Sequence, residues 1–342
     1  MGSVLVVNAG STGLKLSVVS ENDVAQQLPN LDAGSGEVDA VAHRVVHGGA
    51  RFRDPVLVDD QVAAVLAGLV ELAPLHNAPA LTALAEARHR FPGLPHVVVF
   101  DTAFHSTIPA VAAVYALPRR LRECAGIRRY GFHGLSVEWA AQQVRARRLV
   151  VCHLGGGCSV TAVRDGRSAD TTMGFTPLEG VPMATRSGSV DPGAILYLLR
   201  SGSVSPAELD RTLEHESGLL GLSGFSGDVE KLDRSDAPAA AFALQVFAYR
   251  VAGAVAAMAA ALDGIDALVF TGGIGENAAG VREAVCSRLG FLGVVLDRKV
   301  NAGAAPDADI ERVGSSVRVA VVRSREDLVA ARAARALVGR PG

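Results

Sequence analysis

Apolar positions along this chain of 342 residues gather into short unbroken runs, each cut off by glycines or a polar cluster, with longer mixed stretches between them. The runs at 4–8, 14–19, 97–100, 149–152, 159–164, 267–271 and 317–322 read as strands. Helical spacing or alanine-rich composition marks 59–71, 78–90, 134–146, 192–200, 205–215, 237–262, 278–289 and a last stretch from Glu326 to Val338. Strands alternating with helices imply an α/β fold with mixed, mostly parallel sheets.

One device recurs. In "SVLVVNAGSTGLKLSVVS" (3–20) an apolar strand stops at six small residues, Asn8 to Gly13, and a second strand follows at once with Lys15 near its start. A plain hairpin needs only two turn residues. In "RLVVCHLGGGCSVTAVRDGRSADTT" (148–172) a strand again meets a glycine turn, Gly155 to Ser159, and a second strand; Asp165-Gly166 then leads to a third. "DALVFTGGIGENAAGVREAV" (266–285) repeats strand and glycines, the glycines now opening onto a helix. A unit repeated about halfway along predicts duplication, two related α/β halves each beginning with a strand–glycine–strand hairpin. Glycine lets a ligand oxygen reach backbone N–H groups without meeting a Cβ. In the first half no strand-to-helix turn carries GxxxxGK[ST] or GxGxxG, which sets aside the P-loop and Rossmann fingerprints.

Bulk properties narrow the class. A chain this long is expected to form two domains. A net charge of −2, with 49% apolar and 20% charged residues, suits a globular protein and argues against a nucleic-acid partner. Four cysteines (Cys124, Cys152, Cys158, Cys286) show no CxxC spacing, which points to a reducing compartment. No basic secretory region precedes the first strand, and "VAGAVAAMAAAL" (251–262) is too short to span a bilayer. A cytoplasmic protein without a membrane partner is the expectation.

Polar residues stand out where strands end. "AHRVVHGG" (42–49) sets His43, Arg44 and His47 in an apolar run, and "VVVFDTAFHSTIP" (97–109) ends its strand in Asp101. "RRYGFHGLS" (128–136) holds His133 between glycines, and "TPLEGVPMATRSGSVDP" (176–192) carries Arg186 in a polar loop. Each has an ordinary structural explanation: a buried imidazole satisfying a backbone group, an arginine pairing a carboxylate, an aspartate capping a turn. Together with phosphate-ready glycine turns they suit phosphoryl transfer, where positioning and charge neutralisation do most of the work.

In order along the chain, "VNAGSTGLKLS", "HRVVHGG", "FDTAFHSTIP", "RYGFHGLS", "HLGGGCS", "TPLEGVPMATRSG", "FTGGIGEN" and "REDLVAAR" resemble the signature blocks of the acetate and propionate kinases. The resemblance implies duplicated actin-like, ribonuclease-H-like α/β domains with an interdomain active-site cleft, residues 1–102 plus 328–342 forming the first domain and 103–327 the second. It further implies a homodimer and reversible, magnesium-dependent transfer between ATP and acetate, giving ADP and acetyl phosphate, with manganese as an alternative ion. By position, Asn8 and Glu326 match the metal-side residues and Lys15 a nucleotide-phosphate ligand. Arg44 matches the carboxylate-holding arginine, Asp101 the catalytic aspartate, and His133 and Arg186 the groups that stabilise the transferring phosphoryl. His153, Leu154, Gly155, Gly156, Gly157, Asp228, Gly273, Ile274, Gly275, Glu276 and Asn277 align with nucleotide-binding segments. Val46, Leu75, Phe132 and Pro177 align with the acyl pocket, beside His76. Because a small carboxylic acid is already ionised at neutral pH, Asp101 is expected to orient Arg44 or a magnesium-bound water rather than act as a base.

The blocks depart from the family pattern mainly on the donor side. Gly13 stands where a serine is usual, Gly156 for asparagine, Glu230 for arginine, Ser189 for aspartate and Val137 for histidine. Glu for Arg beside a polyphosphate replaces attraction with repulsion. Three alternatives therefore stand beside an acetate kinase: a propionate or other short-chain acyl kinase, a member using a donor other than ATP, and a catalytically weak regulatory paralogue.

Overall fold

The computed structural model describes residues 2–339 apart from 11, 12, 35 and 37, and gives the backbone alone at 10, 34, 74 and 75. Its strands are β1 (Val4–Gly10), β2 (Gly13–Val19), β3 (Ala25–Leu28), β4 (Ala40–Val45), β5 (Val56–Leu57), β6 (His96–Phe100), β7 (Arg148–Leu154), β8 (Cys158–Arg164), β9 (Arg167–Thr171), β10 (Ala267–Thr271), β11 (Ala308–Asp309) and β12 (Arg318–Val321). They form two six-stranded sheets, β3-β2-β1-β4-β6-β5 and β11-β12-β10-β7-β8-β9. Read from the opposite edge, the second is β9-β8-β7-β10-β12-β11, the same topology shifted by six strands. In each sheet an antiparallel three-stranded meander joins two parallel strands and ends in a short antiparallel edge strand. The duplication expected from the glycine hairpins is present in strand order.

Residues Met1–Ser106, Tyr130–Trp139 and Arg325–Gly342 form one compact unit, and Thr107–Arg129 with Ala140–Ser324 a second. Against the expected division of 1–102 plus 328–342 from 103–327, the first unit runs on to Ser106, resumes from Arg325 and also takes in 130–139, whose His133 and Gly134 bond back to the chain at Asp101. Nothing in the local sequence of that segment announces this return.

In the first unit the sheet is covered on both faces. Val41 and Val45 of β4 join Val98 and Phe100 of β6 and Leu84 and Ala87 of helix Pro74–Arg90 in one core. Ala40 and Ala42 pack with Val97, Val99 and Leu328, Ala331 and Ala334 of helix Glu326–Val338 in the other. Strand alternation thus puts Arg44 on the face that meets the start of the C-terminal helix, and His43 on the opposite one. The outer strands β3 (AQQL) and β9 (RSADT) are polar and partly exposed, which is why apolar runs do not reveal β3.

In the second unit, helix Pro238–Leu262 packs on β7 and β8. With 25 residues it is long and apolar enough by itself to cross a membrane, so the length of the 251–262 stretch excludes nothing. Its buried residues, among them Ala240, Ala243, Phe247, Val251, Val255, Met258 and Leu262, follow helical spacing along one face, as a helix docked on a sheet requires.

Candidate active site

Three parallel strands of the first unit deliver polar side chains at their carboxyl ends, where open α/β sheets place ligand groups. Asn8 of β1 lies in register with Arg44 of β4, and Asp101 follows directly on β6. The Arg44 guanidinium donates from Nε to Asp101 Oδ1 at 2.7 Å and from a terminal nitrogen to Oδ2 at 2.5 Å. Its other terminal nitrogen donates to Asn8 Oδ1 at 3.0 Å. Glu326, the first residue of the C-terminal helix, sits 3.7 Å from Arg44 Nε and accepts from Asn8 Nδ2 at 3.3 Å. Asp101 and Glu326 together push the arginine's pKa up against the effect of burial, so it carries its charge at any physiological pH. Burial is the largest influence on Asp101 and pushes its carboxyl upward; Arg44 and the His133 backbone N–H pull against it.

The segment carrying His133 is pinned to the same aspartate. His133 adopts left-handed backbone geometry, φ +59°, which is costly for a side-chain-bearing residue and held here by its surroundings. Its backbone N–H donates to the Asp101 carboxylate, and the next N–H, of Gly134, donates to the Asp101 carbonyl at 2.9 Å. A Cβ at Gly134 would collide with that carbonyl, so glycine is required there. Helix Gly134–Gln143 starts from this anchor, and Val137 inside it is fully buried.

Val46 and Phe132 are buried, 2% and 1% exposed, and His76 is also buried. The His47 ring stands edge-on to Tyr130 and Phe132, and its Nδ1 accepts from the Gly49 N–H at 2.9 Å. Asn77, which the sequence does not single out, accepts from His47 N–H and donates to its carbonyl, fixing that backbone. Leu75 is the second residue of helix Pro74–Arg90, and its side chain lies outside the described residues. Ser11 and Thr12, the middle of the first glycine turn, lie outside the described residues altogether. Lys15 is exposed and pairs in register with Asn8. Gly13, at φ +122°, occupies a conformation serine rarely adopts, a backbone reason for its departure from the family pattern.

In the second unit the β7–β8 hairpin closes tightly, Gly155 N–H donating to the Gly157 carbonyl at 3.0 Å. His153 pairs in register with Ser159 across that hairpin and with Thr271 of β10. Gly156 is exposed with open space about it, so its backbone does not demand glycine. The loop that carries Arg186 reaches this hairpin, Ala184 N–H donating to the Gly156 carbonyl at 3.3 Å. Arg186 itself is mostly buried: Nε lies 3.2 Å from Glu214, and a terminal nitrogen donates to the Pro177 carbonyl at 3.1 Å. Burial draws its pKa down while Glu214 supports its charge.

After β10 the glycines open onto helix Gly272–Asn277, as expected. Glu276 accepts from the N–H groups of Gly272 and Ser324, and Asn277 donates to the Gly273 carbonyl, so both shape this turn. The sequence does not reveal what anchors it. Arg282, 1% exposed, donates to the carbonyls of Gly275 and Glu276 and to both oxygens of Asn301. Spacing puts Arg282 and Cys286 on one helical face with Val281 and Val285, a cation in an apolar stripe, but does not name the carbonyls it binds. Asp228 caps its own short helix through the Glu230 N–H, and Glu230 pairs with Arg234 on the surface at 2.5 Å.

Among the described residues no three His, Cys, Asp or Glu side chains gather as a metal cluster. Glu326 with Asn8 is an oxygen-donor pair, the chemistry of a hard cation that keeps its waters, and does not resemble a zinc site.

Comparison with known proteins matches residues 22–332 to the acetokinase family. An acetate kinase from Synechococcus sp. (strain JA-2-3B'a(2-13)) is 47% identical over 316 residues, 89% of this chain and 78% of the relative. One from Methanosarcina acetivorans is 41% identical over 336 residues, 94% and 82% of the two chains. Among solved structures, a propionate kinase from Francisella tularensis superposes with a TM-score of 0.89 at 33% identity, covering 98% of this chain and 100% of that one. The Porphyromonas gingivalis acetate kinase gives 0.86 at 32%, covering 99% and 100%. With a family match across nearly its whole length and the same fold in solved members, this chain belongs to the acetokinase family.

Proposed function

We propose that the protein is an acetate kinase, transferring the γ-phosphoryl group of ATP reversibly to acetate to give ADP and acetyl phosphate. The observation that carries this is the state of Arg44. Three of its five N–H groups are taken by Asp101 and Asn8. Among the described residues no partner takes the other two, one on each terminal nitrogen, and guanidinium N–H groups are strong donors to a carboxylate. Its relatives' acetate kinase activity points to which carboxylate.

In the forward direction a carboxylate oxygen of acetate attacks the γ-phosphorus, the bond to the β–γ bridging oxygen breaks, and ADP leaves with the electron pair. Acetate is already ionised at neutral pH, given a reference value of about 4 for such acids, so no base is needed. Asp101, bound on both oxygens, is the counter-charge that aims Arg44. Arg186 and His133 neutralise charge spreading over the phosphoryl oxygens. Magnesium, when bound at Glu326 with Asn8, would screen the phosphate charge. Asn8 Oδ1 already serves Arg44, which leaves Glu326 as the principal protein donor.

Hydroxamate trapping of acyl phosphate tests the reading, with acids of two to five carbons and a panel of donors. ATP-dependent signal with acetate above propionate is expected; one added methylene in an apolar pocket is worth only about 1–3 kcal/mol. Signal with another donor alone, or none at all, overturns it. Because Glu230 replaces an arginine, Glu230→Arg should lower the KM for ATP. We also infer a cytoplasmic homodimer, supported by four free thiols and by the exposed Phe242, Tyr249 and Phe291 of the second unit; light scattering tests the dimer.

A further inference from the structure

The loop that presents Arg186 is clamped at its own Glu179 by two residues outside it, Tyr115 and Arg129, and none of the three has been given a role above. Arg129 donates from one terminal nitrogen to the carbonyls of Thr171, Thr172 and Met173, at 2.8, 2.9 and 3.2 Å, gathering the chain where it leaves β9. Its other terminal nitrogen lies 3.0 Å from Glu179 Oε1. Tyr115 donates its hydroxyl to Glu179 Oε2 and accepts from the Phe175 N–H at 3.0 Å. Both carboxylate oxygens of Glu179 are thus engaged, and they tie residue 179 to both ends of segment 173–175. Burial, with Glu179 alongside, raises the Tyr115 pKa, so the phenol stays protonated and donating. Gly174 passes so close to Glu179 and Tyr115 that a Cβ there would collide with both.

Two residues before Glu179, the Pro177 carbonyl accepts from the Arg186 guanidinium. The loop also closes on itself beyond Glu179: Ser189 N–H donates to the Gly180 carbonyl, and Gly180 N–H to Ser189 Oγ. A shift of Glu179 therefore moves the carbonyl that aims Arg186. We propose that Glu179, held between Tyr115 and Arg129, is a positioning residue for Arg186. This rests on the reading of Arg186 as a phosphoryl-stabilising group.

The test measures kcat, the KM for acetate and for ATP, and melting temperature in Glu179→Gln, Tyr115→Phe, Arg186→Lys and the Glu179→Gln/Arg186→Lys double variant. Glu179→Gln removes the nearer of two carboxylates beside Arg129, the other being Asp170 at 3.8 Å, and with it the charge that ties residue 179 to Arg129; kcat should fall about tenfold to a hundredfold, as small displacements of a reacting group do. The KM for acetate should stay within about twofold, and in the Arg186→Lys background the further loss should shrink below about threefold, the signature of coupled residues. Wild-type kcat in Glu179→Gln, or an equal fold loss in both backgrounds, overturns the proposal. If Glu179→Gln fails to fold, Tyr115→Phe, which deletes one hydroxyl, carries the same test: a lowered kcat is expected and a wild-type kcat overturns. Wild-type rates in Arg186→Lys overturn the reading of Arg186, and the proposal with it. That outcome is distinguishable from a slow Arg186→Lys beside a normal Glu179→Gln.

Discussion

Asp101→Asn isolates the contact on which the acyl side of the site is built. In the wild type both carboxylate oxygens accept from Arg44, at 2.7 and 2.5 Å, and the His133 N–H donates to the same group. An asparagine keeps one acceptor and turns the other into a donor facing a donor. A buried arginine, 13% exposed, is then left with half its partner and no counter-charge but Glu326 at 3.7 Å. Breaking one side of such a pair costs about 3–5 kcal/mol of stability. If the guanidinium moves by roughly 1 Å, activity falls about a hundredfold. Acyl phosphate formation at saturating magnesium, with acetate varied, should show the loss in kcat/KM for acetate, and a thermal melt should show the loss of stability. No general-base role is assigned, so the loss should be the same across pH 6 to 8. Near-full activity in Asp101→Asn would refute the reasoning, because Arg44 would then need no orienting partner.

Three further outcomes follow from the geometry. Gly134→Ala forces a methyl group against the Asp101 carbonyl; a stability loss of about 1–3 kcal/mol and a slower transfer step are expected, and wild-type kcat would show that the His133 segment does not set the site. His105 is buried, donates to the Phe132 carbonyl, and has its pKa drawn down to about 4 by burial. The unfolded chain, with an ordinary histidine near 6.5, binds that proton first, so stability is full above about 6.5 and falls as pH drops toward 4, by about 3 kcal/mol from this residue. Urea unfolding of His105→Gln should give a flatter profile over pH 4–7, and an unchanged slope contradicts the assignment. Buried His43 acts in the same direction, so the profile should not become level. Finally, Gly156→Asn should be tolerated, having open space, whereas Gly13→Ser, at φ +122°, should lower melting temperature without tightening ATP binding; equal behaviour of the two would contradict this.

Much of this protein was legible in the order of its residues. Apolar runs ending in glycine turns mark β1, β7 and β10, and amphipathic or alanine-rich spacing marks the helices at 192–200, 206–215, 238–262 and 326–338, because an apolar face imposes a local period. The motif residues Arg44, Asp101 and Glu326 could be named as one set only through family resemblance, since 57 and then 225 positions separate them along the chain. What the tertiary structure decided is everything that depends on pairing at a distance. It placed β3 and the two-residue strands β5 and β11, too polar or too short to stand out as apolar runs, because a sheet edge is chosen by the neighbour that supplies its hydrogen bonds. It returned residues 130–139 to the first unit, buried Arg282 beneath the GGIGEN turn, and bound Glu179 to Tyr115 and Arg129. Local sequence encodes which face of an element is apolar; the partner of a buried charge is fixed only when the chain has folded around it.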